Sequence, residues 1–163
     1  MEEFQAAREK ALHNLRIADH MTSVTYPLLK DNKLLIAAME NLFLSVSGAM
    51  SAILLHDRTF KRVPPFADTF EVKFTVFRTK CMTHHGIDAD SARLIQELRE
   101  ILVQRKKSPI EFSRRDTFVI CSDDYRIRTL THRDVKDFVA RAKVFIHTMV
   151  KLTGQHEGIF GGS

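Results

Sequence analysis

Residues 34–55 read LLIAAMENLFLSVSGAMSAILL. The run is close to the length of about 20 apolar residues that spans a bilayer. Whether it is a span or a buried core helix decides the fold. It carries one charge, Glu40, together with Asn41, Ser45, Ser47, Gly48 and Ser51. A carboxylate at mid-span costs about 2.5–3.5 kcal/mol on insertion scales. The other helical runs of the chain are amphipathic and have no role in lipid. The stretch is therefore read as the central helix of a bundle, over about 33 to 57, apolar almost all round. Small residues recur at i, i+4: Ser45 with Ala49, Ser47 with Ser51, Gly48 with Ala52. That stripe allows close helix approach, within the fold or between two chains, and the contact within the fold is the expected one.

Working outward, residues 2–21 place Phe4, Ala7, Ala11, Leu15 and Ala18 at helical spacing. Tyr26-Pro27 predicts a break, because the residue before proline is pushed away from the α region. Asp31 or Asn32 is placed to cap the central helix. Residues 66–86 fit a strand through Phe70, Val72, Phe74 and Val76, or a helix through Phe66, Phe70, Phe74, Phe77 and Cys81. The helical pattern runs longer and meets Gly86 at a C′ position, so a helix is predicted. Asp88 or Asp90 caps a further helix over about 91 to 107, which Ser108-Pro109 ends. Thr117–Cys121 and Tyr125–Leu130 flank a short polar turn and read as a β-hairpin. Alternation puts Arg126 and Arg128 on one strand face, toward solvent, and packs Ile127 inward. Thr131 caps the last helix, with Asp134 completing a capping box, and that helix is expected to stop at Gly154. The fold predicted is mainly all-α: an up-and-down bundle of about five helices with one β-hairpin before the last. Residues 1–154 form one domain and 155–163 a flexible tail.

The chain of 163 residues is long enough to bury a core without staples, and its 44% hydrophobic and 28% charged content suits a globular protein. Two cysteines without CxxC spacing, Cys81 and Cys121, suggest reduced thiols and a cytoplasmic protein. The opening MEEFQAAREKAL lacks an apolar core, so no signal peptide is expected. The net charge is +5. Most of the excess is local. Residues 105–128 hold Arg105, Lys106, Lys107, Arg114, Arg115, Arg126 and Arg128 against Glu111, Asp116, Asp123 and Asp124. A solvated surface explains such a cluster as well as an anion-binding role does. The arginine content favours binding, since guanidinium forks suit phosphate. Tyr125 and Phe112 stand among them as possible stacking groups. The nucleic-acid-binding candidates are Lys106, Lys107, Arg114, Arg115, Tyr125, Arg126 and Arg128.

Short catalytic signatures are absent: no Gly-rich phosphate loop, no GxSxG and no HExxH. His13 and His20 lie two helical turns apart, about 10.5 Å, too far for one ion without other ligands. His84-His85 read as partly exposed residues at a helix end. No metal and no cofactor is expected. Asp123-Asp124 suits a hairpin turn on its own backbone account.

Five helices with an Arg-rich segment before the last resemble the HEPN class of small helical proteins. LHNLRIADHM (12–21), YPLLKDNKLLIAAMENLFL (26–44) and KKSPIEFSRRDTFVICSDDYRIRTL (106–130) are also similar to an uncharacterised archaeal family of small helical proteins. The HEPN resemblance implies action on RNA. Its ribonucleases pair an Arg with a His with four to six residues between them, usually with a polar residue after the Arg. Arg126 and His132 have that spacing, as do Arg141 and His147, and Arg78 and His84. Ile127 and Ala142 follow the first two arginines, departing from the pattern. Thr79 follows Arg78, but on the wrong helix. The expectation is a non-enzymatic module binding RNA or a ribonucleoprotein, with no membrane partner. The alternatives are a metal-independent ribonuclease using Arg126 and His132, and a homodimeric interaction scaffold.

Overall fold

The computed structural model describes residues 2–107, 110–114, 117–121 and 127–160, without the side chains of 107, 110–114, 121 and 155–160. Helix α1 (Glu3–His20) continues through a π turn (Met21–Thr25) into a last turn (Tyr26–Leu29). Helix α2 is Lys33–Thr59. Helix α3 starts as Phe70–Val76, widens into a second π turn (Phe77–Cys81) and ends with Met82–His85. Helix α4 is Ala89–Lys107. Strands β1 (Ile110–Arg114), β2 (Thr117–Cys121) and β3 (Ile127–Thr131) then lead into α5 (His132–Phe160). The result is a mainly helical bundle with an antiparallel β element before the last helix, as the sequence predicts.

The apolar run at 34–55 is the axis of this bundle. By length and composition α2 could cross a membrane. Here it packs against all four other helices and buries Leu35, Met39, Leu42, Val46, Met50 and Ile53. Glu40 stays at the edge and pairs with Arg105 across 3.6 Å. The small-residue stripe meets α1 within the chain. Ser45 Oγ donates to the Ala11 carbonyl at 2.8 Å. A Cβ on Gly48 would stand 3.5 Å from that of Ala11.

Pro27 does not break the first helix, contrary to expectation. Proline removes an N–H and its ring crowds the carbonyl four residues back. The π turn absorbs both defects. Tyr26 N–H reaches back to Met21 O, one residue further than in an α-helix. Thr22 O thereby loses the Tyr26 donor, and Pro27 has no N–H to offer it. His132 Nε2 supplies the missing bond at 2.7 Å. The helix goes on to Lys30, whose left-handed backbone (φ 56°) ends it.

The other boundaries follow local chemistry. Asp31 Oδ1 accepts from Lys33 N–H at 3.0 Å at the start of α2. Thr69 caps α3 by accepting from Val72 N–H, so this helix begins four residues later than Phe66. Gly86 ends it at φ +64°. Asp88 caps α4 through Asp90 N–H at 2.8 Å. Thr131 and Asp134 form the expected box, with N–H to side-chain bonds of 3.0 and 3.1 Å. Helix α5 does not stop at Gly154. Its backbone stays helical to Phe160, because Gly154 lacks the positive φ of a terminating glycine. Residues 161–163 of the expected tail lie outside the described residues.

The β element has three strands in the order β1-β2-β3, all antiparallel. The hairpin predicted from 117 to 130 is there as β2 and β3, and β1 extends it. Register places Leu130 opposite Phe118 and Arg128 opposite Ile120. Phe118, Ile120 and Leu130 enter the core, which fixes the inner face. Ile127 lies on the other face and is 69% exposed, so the inward packing predicted for it is wrong. Arg128 shares the core-side face but emerges at its edge. The sheet is tied to the bundle by Asn32 Nδ2, which donates to Thr117 O at 3.2 Å. The Tyr26 hydroxyl in turn donates to Asn32 Oδ1 at 3.0 Å.

Candidate nucleic-acid interface

The last turn of α4 and the start of β3 are separated by about twenty residues of sequence and lie side by side. Arg128 Nε donates to Gln104 Oε1 at 3.0 Å. Lys106, two residues past Gln104, is exposed, as is Arg128. Arg128 of β3 thus lies beside the last turn of α4, while Lys106 stands about 200° round the helix axis from Gln104. Of the other candidates, Arg114 ends β1 and Lys107 ends α4, with side chains outside the described residues. Arg115, Tyr125 and Arg126 lie outside the described residues altogether.

Beside this surface a cavity of about 400 Å³ opens between α2 and α4. Glu40, Phe43 and Leu44 form one wall, and Arg99, Val103 and Lys106 the other. The helical spacing explains the set: 40, 43 and 44 share a face of α2, and 99, 103 and 106 share a face of α4. Leu44 is 50% exposed and Val103 37%. Arg99 lies 4.3 Å from the Phe70 ring centre, and its Nη2 donates to Glu71 at 2.6 Å. The sequence reading missed Glu40, Phe43, Arg99 and Gln104 as site residues. α4 packing on α2 brings the first three together, β3 meeting α4 engages Gln104, and no local motif announces either contact.

The Arg–His spacings separate clearly. His132, the first residue of α5, must donate its Nε2 proton to Thr22 O, since a carbonyl can only accept. Its ring packs on Tyr26 with centroids 4.5 Å apart. It joins the ends of α1 and α5. Arg141 grips Asp90 with Nε and Nη2 at 3.1 and 2.8 Å, and Glu97 with Nη1 at 2.9 Å. This fork holds α4 to α5 and keeps the Asp90 carboxyl below its usual value, chiefly through its hydrogen bonds. Arg78 lies over the Phe74 ring at 5.1 Å.

A buried polar cluster occupies the far end of α2. The Asp57 side chain is 1% exposed. Both its oxygens face His85 Nε2, at 2.8 and 3.0 Å. Arg62 Nη1 donates to Oδ1 at 3.3 Å, and His56 Nδ1 stands 3.9 Å away. Burial pushes the carboxyl up. The His56 and His85 rings and the Cys81 thiol outweigh burial and hold it well below the carboxylate range. Cys81 is fully buried. Burial first, then Asp57, pushes its thiol far above the ordinary range. Such a thiol stays protonated and is no nucleophile. His85, expected to be partly exposed at its helix end, is intermediate in exposure as a whole residue, and its side chain is only 7% exposed. The signal available was the charge of His56-Asp57 closing an otherwise apolar helix.

Among the described residues no three metal-ligating side chains are grouped to hold an ion. His13 and His20 are exposed on α1. No protein-family model, curated protein or solved structure matches this chain.

Proposed function

We propose that this protein is a non-enzymatic module that binds RNA, alone or in a ribonucleoprotein, through the basic surface at the end of α4 and the edge of β3. The observation that carries this reading is the Arg128–Gln104 contact. It brings Arg128 of β3 beside the last turn of α4, the turn that also carries the exposed Lys106. Guanidinium and ammonium groups held this way match a phosphate backbone, whose contacts supply most of the sequence-independent affinity. The neighbouring apolar wall of Leu44 and Val103 suits a single strand, whose bases are free to pack against side chains. Binding is taken over cleavage because Ile127 and Ala142 follow Arg126 and Arg141 where the ribonuclease pattern has a polar residue, and Arg141 is occupied by Asp90 and Glu97.

The test is ultraviolet cross-linking of the salt-washed protein to labelled single-stranded RNA, followed by mapping of the adducts. The reading expects adducts at the end of α4 and the start of β3. Adducts confined to α1 or α3, or none, would count against it. Incubating the same RNA without metal should leave it intact.

A further inference from the structure

The cavity between α2 and α4 carries a feature that phosphate binding leaves unexplained. One carboxylate, Glu40, sits in a wall otherwise built of apolar side chains and cations. A phosphate-binding surface gains nothing from an acid. Glu40 is 51% exposed and its nearest cation, Arg105 Nη1, stands 3.6 Å from Oε1. That is beyond direct hydrogen-bond length, so the carboxylate keeps acceptor capacity toward the cavity. Phe43, Leu44 and Val103 supply flat or apolar surface around it. The volume of about 400 Å³ lies in the range of small-ligand sites.

Resting on the RNA reading, we infer that this cavity takes one unstacked base of the bound strand and that Glu40 selects guanine. A carboxylate is acceptor-only and offers two oxygens side by side. The Watson–Crick edge of guanine presents two adjacent donors, N1–H and the N2 amino group. Each donates to one oxygen of Glu40. Adenine turns the unprotonated N1 toward the carboxylate, and cytosine turns N3, so each sets an acceptor against an acceptor. Uracil offers one N–H flanked by two carbonyls. Single-stranded RNA is recognised in this manner, by splayed bases held on side-chain surfaces and read on their edges. With the base inserted, the flanking phosphates lie toward Lys106, which lines the cavity.

The experiment is fluorescence anisotropy with the full chain and labelled RNA decamers. One is all uridine, and the others carry a single central guanosine, adenosine or cytidine. A bidentate contact discriminates by about 1–3 kcal/mol, so the guanosine decamer should bind about tenfold tighter than the uridine one. Glu40→Gln removes one of the two acceptors, and the amide's donor–acceptor pair can meet an edge of any of the four bases. The guanosine advantage should therefore collapse in this variant, leaving the four decamers about equal in affinity. Loss of a negative charge alone would instead strengthen all four decamers equally. That equal gain, or equal binding of all four by the wild type, overturns the guanine pocket and leaves the RNA reading standing. If no decamer binds at low salt, both fall together. Circular dichroism of Glu40→Gln should match the wild type, since the side chain lies at the surface.

Discussion

Replacing His85 by alanine should destabilise the protein far more than a helix-end histidine has any title to. His85 Nε2 is the closest partner of both Asp57 oxygens, and the carboxylate is 1% exposed. With the imidazole gone, Asp57 keeps the His56 ring, the Cys81 thiol and Arg62 Nη1 at 3.3 Å, the last on a side chain that is 36% exposed. A hydrogen bond to a charged group contributes about 1.5–3 kcal/mol. The partners that remain place this case at about 2 kcal/mol. For a chain of this length each kcal/mol lowers Tm by about 2–4 °C, so a drop of about 4–8 °C is expected at pH 7. The assay is thermal unfolding followed by circular dichroism at several pH values. In the wild type the depressed Asp57 carboxyl contributes stability that is complete above the unfolded value, about 3.9, and fades as pH falls toward the folded one. In His85→Ala the carboxyl loses one of the groups that lower it, so its folded value moves up while His56 and Cys81 still hold it down. The mutant penalty should therefore be smaller in acid, where the carboxyl is protonated, than at pH 7. Adding Asp57→Asn to His85→Ala should recover part of the loss at neutral pH. A change in Tm below about 2 °C at pH 7, or a penalty independent of pH, would refute the account of this cluster.

His132→Ala orphans the buried Thr22 carbonyl, at a cost of about 1–3 kcal/mol. Urea unfolding should show a lower midpoint, and an unchanged midpoint would mean that the π turn needs no clamp. Gly48→Ala should stabilise by about 0.5–1 kcal/mol, because the added methyl meets Ala11 at an ordinary contact distance while helix propensity improves. A loss of stability there would place the two backbones closer than described. Arg141→Ala should cost about 1–3 kcal/mol by releasing Asp90 and Glu97 together, read as an earlier denaturant midpoint.

The helical plan was legible because its signals are local. The apolar period of α2, the Thr131–Asp134 box and the glycine at 86 each act within one or two turns. Pro27 misled because its cost is relieved by a π turn and by His132, 105 residues further on. Gly154 misled because a glycine ends a helix only when its backbone turns left-handed. Residues 110–114 were not read as a strand, since their pairing is set by β2 rather than by their own pattern. Ile127 was assigned to the wrong face for a related reason: alternation gives two faces, and only the burial of Phe118, Ile120 and Leu130 says which is inside. The basic character of the site was visible as composition. The Arg128–Gln104 contact, the Glu40 cavity and the Asp57–His85 pair depend on helices meeting in three dimensions, and no spacing in the sequence encodes them.

The central claim, that the end of α4 and the edge of β3 bind a polyanionic strand, is tested most directly by a salt titration of single-stranded RNA binding. Affinity is measured by anisotropy from about 50 to 200 mM salt, for the wild type and for Lys106→Glu combined with Arg128→Glu. Each phosphate contact contributes a slope of about −0.7 in log affinity against log salt on a single strand. The wild type should fall linearly, and the double variant should bind more weakly with a slope shallower by about 1.4, the loss of two contacts. A double variant whose curve overlays the wild type, or a wild type that fails to bind at the lowest salt, would contradict the account.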